Sequence, residues 1–428
     1  MEKTKFFDIL HRELVMALGC TEPVAIAYAA ALAGKHLTSK SASRIRVLAS
    51  SNVIKNAMAV SIPGTGGCGI NLAAALGVLA HNTDRSLELL TGLTKEDIEN
   101  AKAMIQEGIV TVEIANSPKK LYIEVIVETP ESYARVVMED THTNVVLIEV
   151  DRRIIKDNQI CSTALLDGTE DVKFLTLDSI WEFACFIDVK ELDIIDKSIE
   201  MNRKIGMEGL RNPYGLQVGR IMKLNMDAGL LSDDTPTYAV ALTAAGSDAR
   251  MAGCVMPVMS NSGSGNQGIS ATLPVVAFAE RLHIGKEKML RAVAISHLVT
   301  IDIKLKFGRL SALCGATISA IGASCGITYL LGGGIEEIKS AIQNMLGNVT
   351  GMLCDGAKPG CSLKIATCTS AAVQSALIAM RGVAIQSTDG IIENDPEQTI
   401  ENLCRLGNQG TVEADKIILD IMLKKANC

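Results

Sequence analysis

Aromatic residues make up only 3% of this 428-residue chain, with a single Trp, so no core can be organised around large rings. Ala, Val, Ile, Leu and Met must supply it from an apolar fraction of 48% that is interspersed with 36 glycines. Basic charge is not in excess either. The 41 Lys plus Arg against 48 Asp plus Glu leave a net charge of −7, which offers no field for a nucleic-acid backbone or an anionic membrane. The opening MEKTKFFDILHREL is charged on both sides of its short apolar stretch and lacks the h-region of a secretory signal, which predicts a cytoplasmic protein. In a reducing compartment the 12 cysteines point to metal, catalytic or buried apolar roles rather than to disulfides.

Several familiar motifs are missing as well. There is no HxH or HExxH pair among the six histidines, no paired CxxC ribbon, no GxxxxGK[ST] loop and no assignable Ser/His/Asp triad. Histidine-bound zinc and a P-loop ATP site are therefore not expected. Repeats of 20 to 50 residues are absent too, which sets solenoids aside. Two stretches, 251–279 and 310–335, carry no Asp, Glu, Lys or Arg and exceed the ~20 residues that span a bilayer. The first is interrupted by SNSGSGNQG, and the second has six glycines with one aromatic; buried helices account for them better than membrane spans do.

What is present reads as a mixed α/β (α+β) fold. Residues 5–34 show helical spacing broken around Gly19 and Cys20, RIRVLAS alternates as a strand, and a Gly-rich turn at 63–69 opens an Ala-rich helix. From 109 to 150, IVTVEIA, LYIEVIVE, ARVVMED and NVVLIEV read as an antiparallel meander. Beyond 179 the pattern is helical. A boundary near 232 divides a mixed region, 1–232, carrying a small antiparallel sheet and the Gly-rich loop, from a mostly helical, cysteine-bearing region, 233–428.

Three constellations carry possible chemistry. Cys354 and Cys361 close a six-residue Gly/Pro loop, and Cys314, with Gly315 after it, lies 40 residues upstream. Three thiolates are a metal count, while three buried thiols are the alternative. In the second, SNVIKN (51–56) and SIPGTGGCG (61–69) offer free backbone N–H groups before a helix, suited to a carboxylate or phosphate. SNSGSGNQG (260–268), the third, concentrates hydrogen-bonding groups inside an apolar region and suggests a polar pocket lining. Further on, His297, Lys304 and Lys306, which precede GRLS at 308–311, could hold a substrate carboxylate or simply form a solvated face.

Together with Gly19-Cys20-Thr21-Glu22-Pro23 and GRLSALCG at 308–315, these segments resemble, in order and over nearly the whole chain, the L-cysteine desulfidase family, related to the α-chain domain of iron–sulfur L-serine dehydratases. The resemblance implies an oxygen-sensitive [4Fe–4S] lyase, independent of pyridoxal phosphate, that splits L-cysteine into sulfide, ammonia and pyruvate. It places Cys314, Cys354 and Cys361 on cluster-ligand positions, with the open iron acting as Lewis acid. Cys20 and Lys55 become the candidate proton acceptors, Glu22 an orienting group, and Asn52, Asn56, Thr65, Ser260, Asn261, Ser262, Asn266 and Arg309 the expected substrate contacts. Cys428 could reach back to the open iron, as a terminal cysteine can in serine dehydratases. No SSSHTxGP-like segment is present, which favours cysteine over serine as substrate. The expected partner is a small molecule, L-cysteine, with no nucleic acid or membrane, in a homo-oligomer, a dimer. Iron–sulfur L-serine dehydratase is the alternative, a non-catalytic metal- or sulfur-binding protein the second, and a membrane transporter the third.

Overall fold

The alternation in RIRVLAS produces strand β1 (Arg44–Ala49), which buries Ile45, Val47 and Ala49 and leaves Arg44, Arg46 and Leu48 more open. Around it the computed structural model, which describes residues 3–37, 41–80, 83, 89–90, 92–158, 172–308 and 313–426, builds a six-stranded sheet. Its other strands are β2 (Val110–Ile114), β3 (Tyr122–Glu128), β4 (Tyr133–Glu139), β5 (Val145–Val150) and β6 (Arg153–Asp157), in the order β2-β1-β3-β4-β5-β6. The run from β3 through β5 is the expected antiparallel meander, with Val125 opposite Val136 and Val136 opposite Ile148. The expectation for IVTVEIA needs correction: β2 lies parallel to β1, Ile45 opposite Val110. A parallel partner must come from a distant part of the chain, so local alternation cannot announce it.

Contacts divide the fold into two units, each assembled from separate stretches. One comprises Met1–Met16, Lys173–Cys354 and Pro359–Ala414; the other comprises Ala17–Val172, Asp355–Lys358 and Asp415–Cys428. In the latter, the sheet buries Ile123, Val125 and Val127 of β3 and Ala134, Val136 and Met138 of β4, and helix Thr21–Lys35 packs on these two strands. Ala-rich and buried on nearly every side, that helix also packs against Ile70–Leu79, the helix expected after the Gly-rich turn. The mixed α+β character predicted from the sequence is thus present.

The former unit is helical. Gly315–Leu330 is buried almost throughout and is surrounded by Gly265–Arg281, Lys286–Phe307, Ile335–Val349 and Cys361–Ala379. Its lack of charge follows from that position, since every face meets protein and none can carry an unpaired ion. Small residues set the spacing: a Cβ on Gly322 would stand 2.2 Å from the Ser296 carbonyl oxygen, so only glycine lets these helices approach so closely. The turn at 232–234 that prompted the expected boundary is exposed and precedes helix Thr235–Met251 of this unit. The two charge-free stretches yield helices of 17 and 16 residues, Gly265–Arg281 and Gly315–Leu330. Among the described residues only Cys361–Ala379 is long and apolar enough to cross a membrane, and half of it is buried within the protein.

Candidate active site

The predicted residues divide between the units. In the sheet-containing unit, Cys20 is the N-cap of Thr21–Lys35 and its thiol donates to Glu22 Oε2 at 3.3 Å. The Thr21 hydroxyl donates to the same oxygen at 3.1 Å, and Asn56 Nδ2 donates to Glu22 Oε1 at 3.2 Å. A buried carboxylate that collects three donors is fixed in place, so Glu22 ties the Cys20 turn to the helix Ser51–Ala57 that carries Asn52, Lys55 and Asn56. Lys55 is only 1% exposed and forms an ion pair with Asp415 of helix Val412–Ala426. The loop 355–358 lies against the backbone of Lys55: a Cβ on Gly356, whose φ is +89°, would fall 2.3 Å from the Lys55 carbonyl oxygen. Thr65 closes the Gly-rich turn, its hydroxyl donating to the Ile62 carbonyl at 2.8 Å and accepting from the Gly67 N–H at 3.1 Å.

In the helical unit the SNSGSGNQG segment forms a tight turn, with Ser262 and Gly263 at φ +48° and +81°, before helix Gly265–Arg281. Ser260 Oγ donates to the Val15 carbonyl at 2.6 Å, and the Ser262 hydroxyl donates to Asn261 Oδ1 at 2.8 Å. The orientation of Asn261 is therefore set, and its Nδ2 donates to His297 Nδ1 at 3.0 Å and to the His297 carbonyl at 3.2 Å. Nδ1 then accepts, which leaves the His297 proton on Nε2, facing Ser198 Oγ at 2.9 Å and Thr272 Oγ1 at 3.1 Å. Complete burial pushes the His297 pKa down to about 3, so the ring stays neutral. Asn202 extends this network to the Met259 carbonyl and N–H. Asn266 accepts from Arg250 Nη1 at 3.2 Å. The polar groups of Ser260, Asn261 and Ser262 are thus engaged within the unit, holding the turn rigid.

One buried group of the 260–268 segment is unengaged among the described residues. Gln267 Nε2 donates to the Asn261 carbonyl at 3.0 Å, which fixes the other end of the amide as the oxygen, and that Oε1 has no hydrogen-bond partner among the described residues. The cost of leaving such a carbonyl unpaired is about 1–3 kcal/mol. Oε1 lies over Gly315, where a Cβ would stand 2.7 Å from it. The residue before Gly315 is Cys314.

Cys314 is the N-cap of Gly315–Leu330, and its N–H donates to the Met352 carbonyl at 2.9 Å. The adjoining antiparallel bridge between Leu313 and Leu353 brings the Cys314 segment against the segment that leads into Cys354, with Cys314 itself opposite Met352. Cys361 opens helix Cys361–Ala379, and Cys368, seven residues on, is buried behind it. Burial pushes the Cys314 thiol well above its usual range, with the Cys354 sulfur next and Cys368 and Cys361 adding to it, against one backbone N–H from Ala316. A bound cation reverses this balance and takes up thiolates directly. Among the described residues no three His, Cys, Asp or Glu side chains stand close enough to share a single metal ion. Thiolates on an iron–sulfur cubane each bind a different iron and so stand wider apart than ligands of one ion. Cys314, with the partly exposed Cys354 and Cys361 both within electrostatic reach of it, fits that donor set. Arg309, Cys161 and Cys428 lie outside the described residues.

Residues 84–420 match a family model described as the serine dehydratase α chain. The chain belongs to the serine dehydratase α-chain family. It is also 48% identical over 424 residues to a UPF0597 protein of Oleidesulfovibrio alaskensis, covering 99% of each chain. A UPF0597 protein of Clostridium perfringens is 46% identical, with 98% of each covered, and one of Bacteroides thetaiotaomicron is 41% identical over 428 residues, with 100% of this chain and 99% of the other covered. The serine dehydratase α-chain match contains the 260–268 turn and all three loop cysteines, whereas Cys20 and Lys55 precede it.

Sequence reasoning about this family member missed Asp415, Gln267 and the role of His297. Asp415 is 360 residues from Lys55, and nothing local marks the pair. Gln267 sits inside a segment already chosen for its polarity, but only the approach of Gly315 singles out its oxygen. His297, grouped with Lys304 and Lys306 as a possible carboxylate contact, is instead fully buried among Asn261, Ser198 and Thr272. The structure assigns it to holding Asn261.

Proposed function

We propose that this chain is an L-cysteine desulfidase, catalysing β-elimination of L-cysteine to sulfide, ammonia and pyruvate without pyridoxal phosphate. The single observation that carries the reading is the antiparallel Leu313–Leu353 bridge, which brings together the chain segments bearing Cys314 and Cys354, with Cys361 at the start of the helix that follows. Cys314, Cys354 and Cys361 would hold a [4Fe–4S] cluster, which supplies one open iron as a Lewis acid. The reaction breaks the Cα–H and Cβ–S bonds; the proton goes to a protein base and sulfide departs, after which water converts aminoacrylate into pyruvate and ammonia. Cys20 and Lys55 are the candidate bases. Glu22 positions the first through the thiol contact, while the second, an ammonium paired with Asp415, could accept a proton only after passing its own to that carboxylate. Asn52, Asn56, Thr65, Asn266 and Arg309 remain the proposed polar environment for substrate, with Ser260, Asn261 and Ser262 shaping it. The proposed protein is cytoplasmic and dimeric.

The name of the matching family favours a second reading, dehydration of L-serine by the same residues. Anaerobic purification followed by iron and acid-labile sulfide analysis tests the cluster, and parallel assays of sulfide from L-cysteine and pyruvate from L-serine separate the two activities. We expect about four irons per chain, loss of iron in Cys314→Ala, Cys354→Ala and Cys361→Ala, and no loss in Cys325→Ala. The Cys325 thiol is fully buried and pushed up to about 12. Protein that stays iron-free and inactive after anaerobic reconstitution would sink the reading.

A further inference from the structure

The turn at 260–268 uses its hydroxyls and amides to hold itself, yet it delivers one hydrogen-bond acceptor to a place where no described residue supplies a donor for it. Gln267 is only 2% exposed. Its amide cannot turn over, because Nε2 is spent on the Asn261 carbonyl at 3.0 Å and Asn261 is clamped in turn by His297. Oε1 therefore faces Gly315, and the absence of a side chain there is what admits it. A carbonyl oxygen in this position accepts hydrogen bonds and repels anions, so it selects a donor and rejects a carboxylate. An α-amino acid brings one strong cationic donor, its ammonium group, and charge-assisted hydrogen bonds of that kind are the stronger ones.

We propose that the Gln267 side-chain carbonyl receives the ammonium group of the α-amino-acid substrate beside Cys314, which makes Gln267 a specificity-determining residue. This rests on the lyase reading above and deepens it. The clamp from Asn261 and His297 prepares the oxygen before substrate arrives, so little ordering remains to be done on binding.

L-Alanine and propionate differ only in the ammonium group, and neither carries a leaving group at the β-carbon, so their binding can be titrated calorimetrically on the anaerobically prepared enzyme without turnover. The unsubstituted protein is expected to prefer L-alanine. Gln267→Met keeps the length and removes the oxygen, and should weaken L-alanine roughly ten- to hundredfold while leaving propionate unchanged, as for loss of one hydrogen bond to a charged group. Gln267→Glu gives up the Nε2 donation to the Asn261 carbonyl but keeps an acceptor oxygen and adds a negative charge that attracts an ammonium and repels propionate, so it should keep the preference, which also covers the case in which the Met variant fails to fold. Equal weakening of both ligands in the Met variant, loss of the preference in the Glu variant, or no preference in the unsubstituted protein would overturn the assignment. Sulfide release from L-cysteine is scored separately: its absence alongside an intact L-alanine preference would remove the desulfidase reading and leave Gln267 in place.

Discussion

Replacing Asp415 by Asn removes one charge and almost no volume, and its consequence can be worked from the surroundings of Lys55. The Lys55 side chain is 2% exposed and that of Asp415 is 22% exposed. The variant therefore leaves an ammonium in the interior with no anion beside it. Breaking a buried pair in this way costs about 3–5 kcal/mol. Because water reaches the Asp415 side, about 3 kcal/mol is the better expectation, and for a unit of this size it corresponds to a fall of roughly 6–12 °C in melting temperature. Circular dichroism melts of the full chain measure it. The double variant Lys55→Met with Asp415→Leu should recover most of the loss, since a well-packed apolar pair of similar volume substitutes for a buried ion pair at little cost. If Asp415→Asn melts within about 2 °C of the unsubstituted protein, below the shift of a single kcal/mol, Lys55 is solvated or partnered elsewhere and the account of that helix contact is wrong.

Two further predictions concern pH. His297→Gln should lower stability at pH 7 by about 1–3 kcal/mol, the range for disturbing a buried hydrogen-bonded group. The native pKa near 3 lies below the unfolded value of 6.5. Below 6.5 the unfolded chain takes up a proton that native His297 refuses, so the stabilisation is present above 6.5 and is lost as pH falls toward 3. The gap between variant and unsubstituted protein in urea melts should therefore shrink from pH 7 to pH 5, and a constant gap would count against a neutral buried ring. Asp302 behaves in the opposite sense. Lys306 is shared with Glu397, and burial raises the more enclosed Asp302 carboxyl to about 7 against an ordinary 3.8. That contribution is present below about pH 4 and lost as pH rises through 7. Asp302→Asn, neutral throughout, should thus gain on the unsubstituted protein between pH 4 and pH 7 in the same melts, and a flat difference would mean that Asp302 is ionised in the native state.

Elements with a period were legible in the sequence. The alternation of Ile45, Val47 and Ala49, and the Ala-rich run after the Gly-rich turn, became β1 and the helix Ile70–Leu79 as expected. Pairing partners were not. The parallel neighbour of β1 arrives from residue 110 onward, and β6, exposed along its whole length, carries no alternation to reveal it. The same distinction runs through the site. Glu22 could be noticed because it stands two residues from Cys20, whereas Asp415 is brought to Lys55 only by tertiary folding. Polarity inside an apolar region marked 260–268, and most of that polarity proved to be self-satisfying scaffold.

The cysteines separate along a line that spacing hinted at and the helices explain. Cys20 and Cys314 are N-caps, and Cys361 is the first residue of its helix. At these points backbone N–H groups lack intrahelical partners and the helix end is positive, so a thiolate or a metal-bound sulfur is better tolerated there than elsewhere. Cys325, Cys368 and Cys404 lie within helices, where no free N–H groups favour a thiolate, and burial pushes them up to about 12, 11 and 12. Such thiols stay protonated and serve as small apolar side chains. Burial raises Cys314 as well, so position at a helix start rather than burial separates the two kinds. Glycine is what the sequence shows at the first kind of position, at 19, 315 and 360. At 315 it does more than adjoin a thiol, because it is the opening through which the Gln267 carbonyl comes to lie beside Cys314. A glycine adjoining a cysteine at a helix start is therefore a stronger pointer to chemistry in this chain than cysteine spacing taken alone.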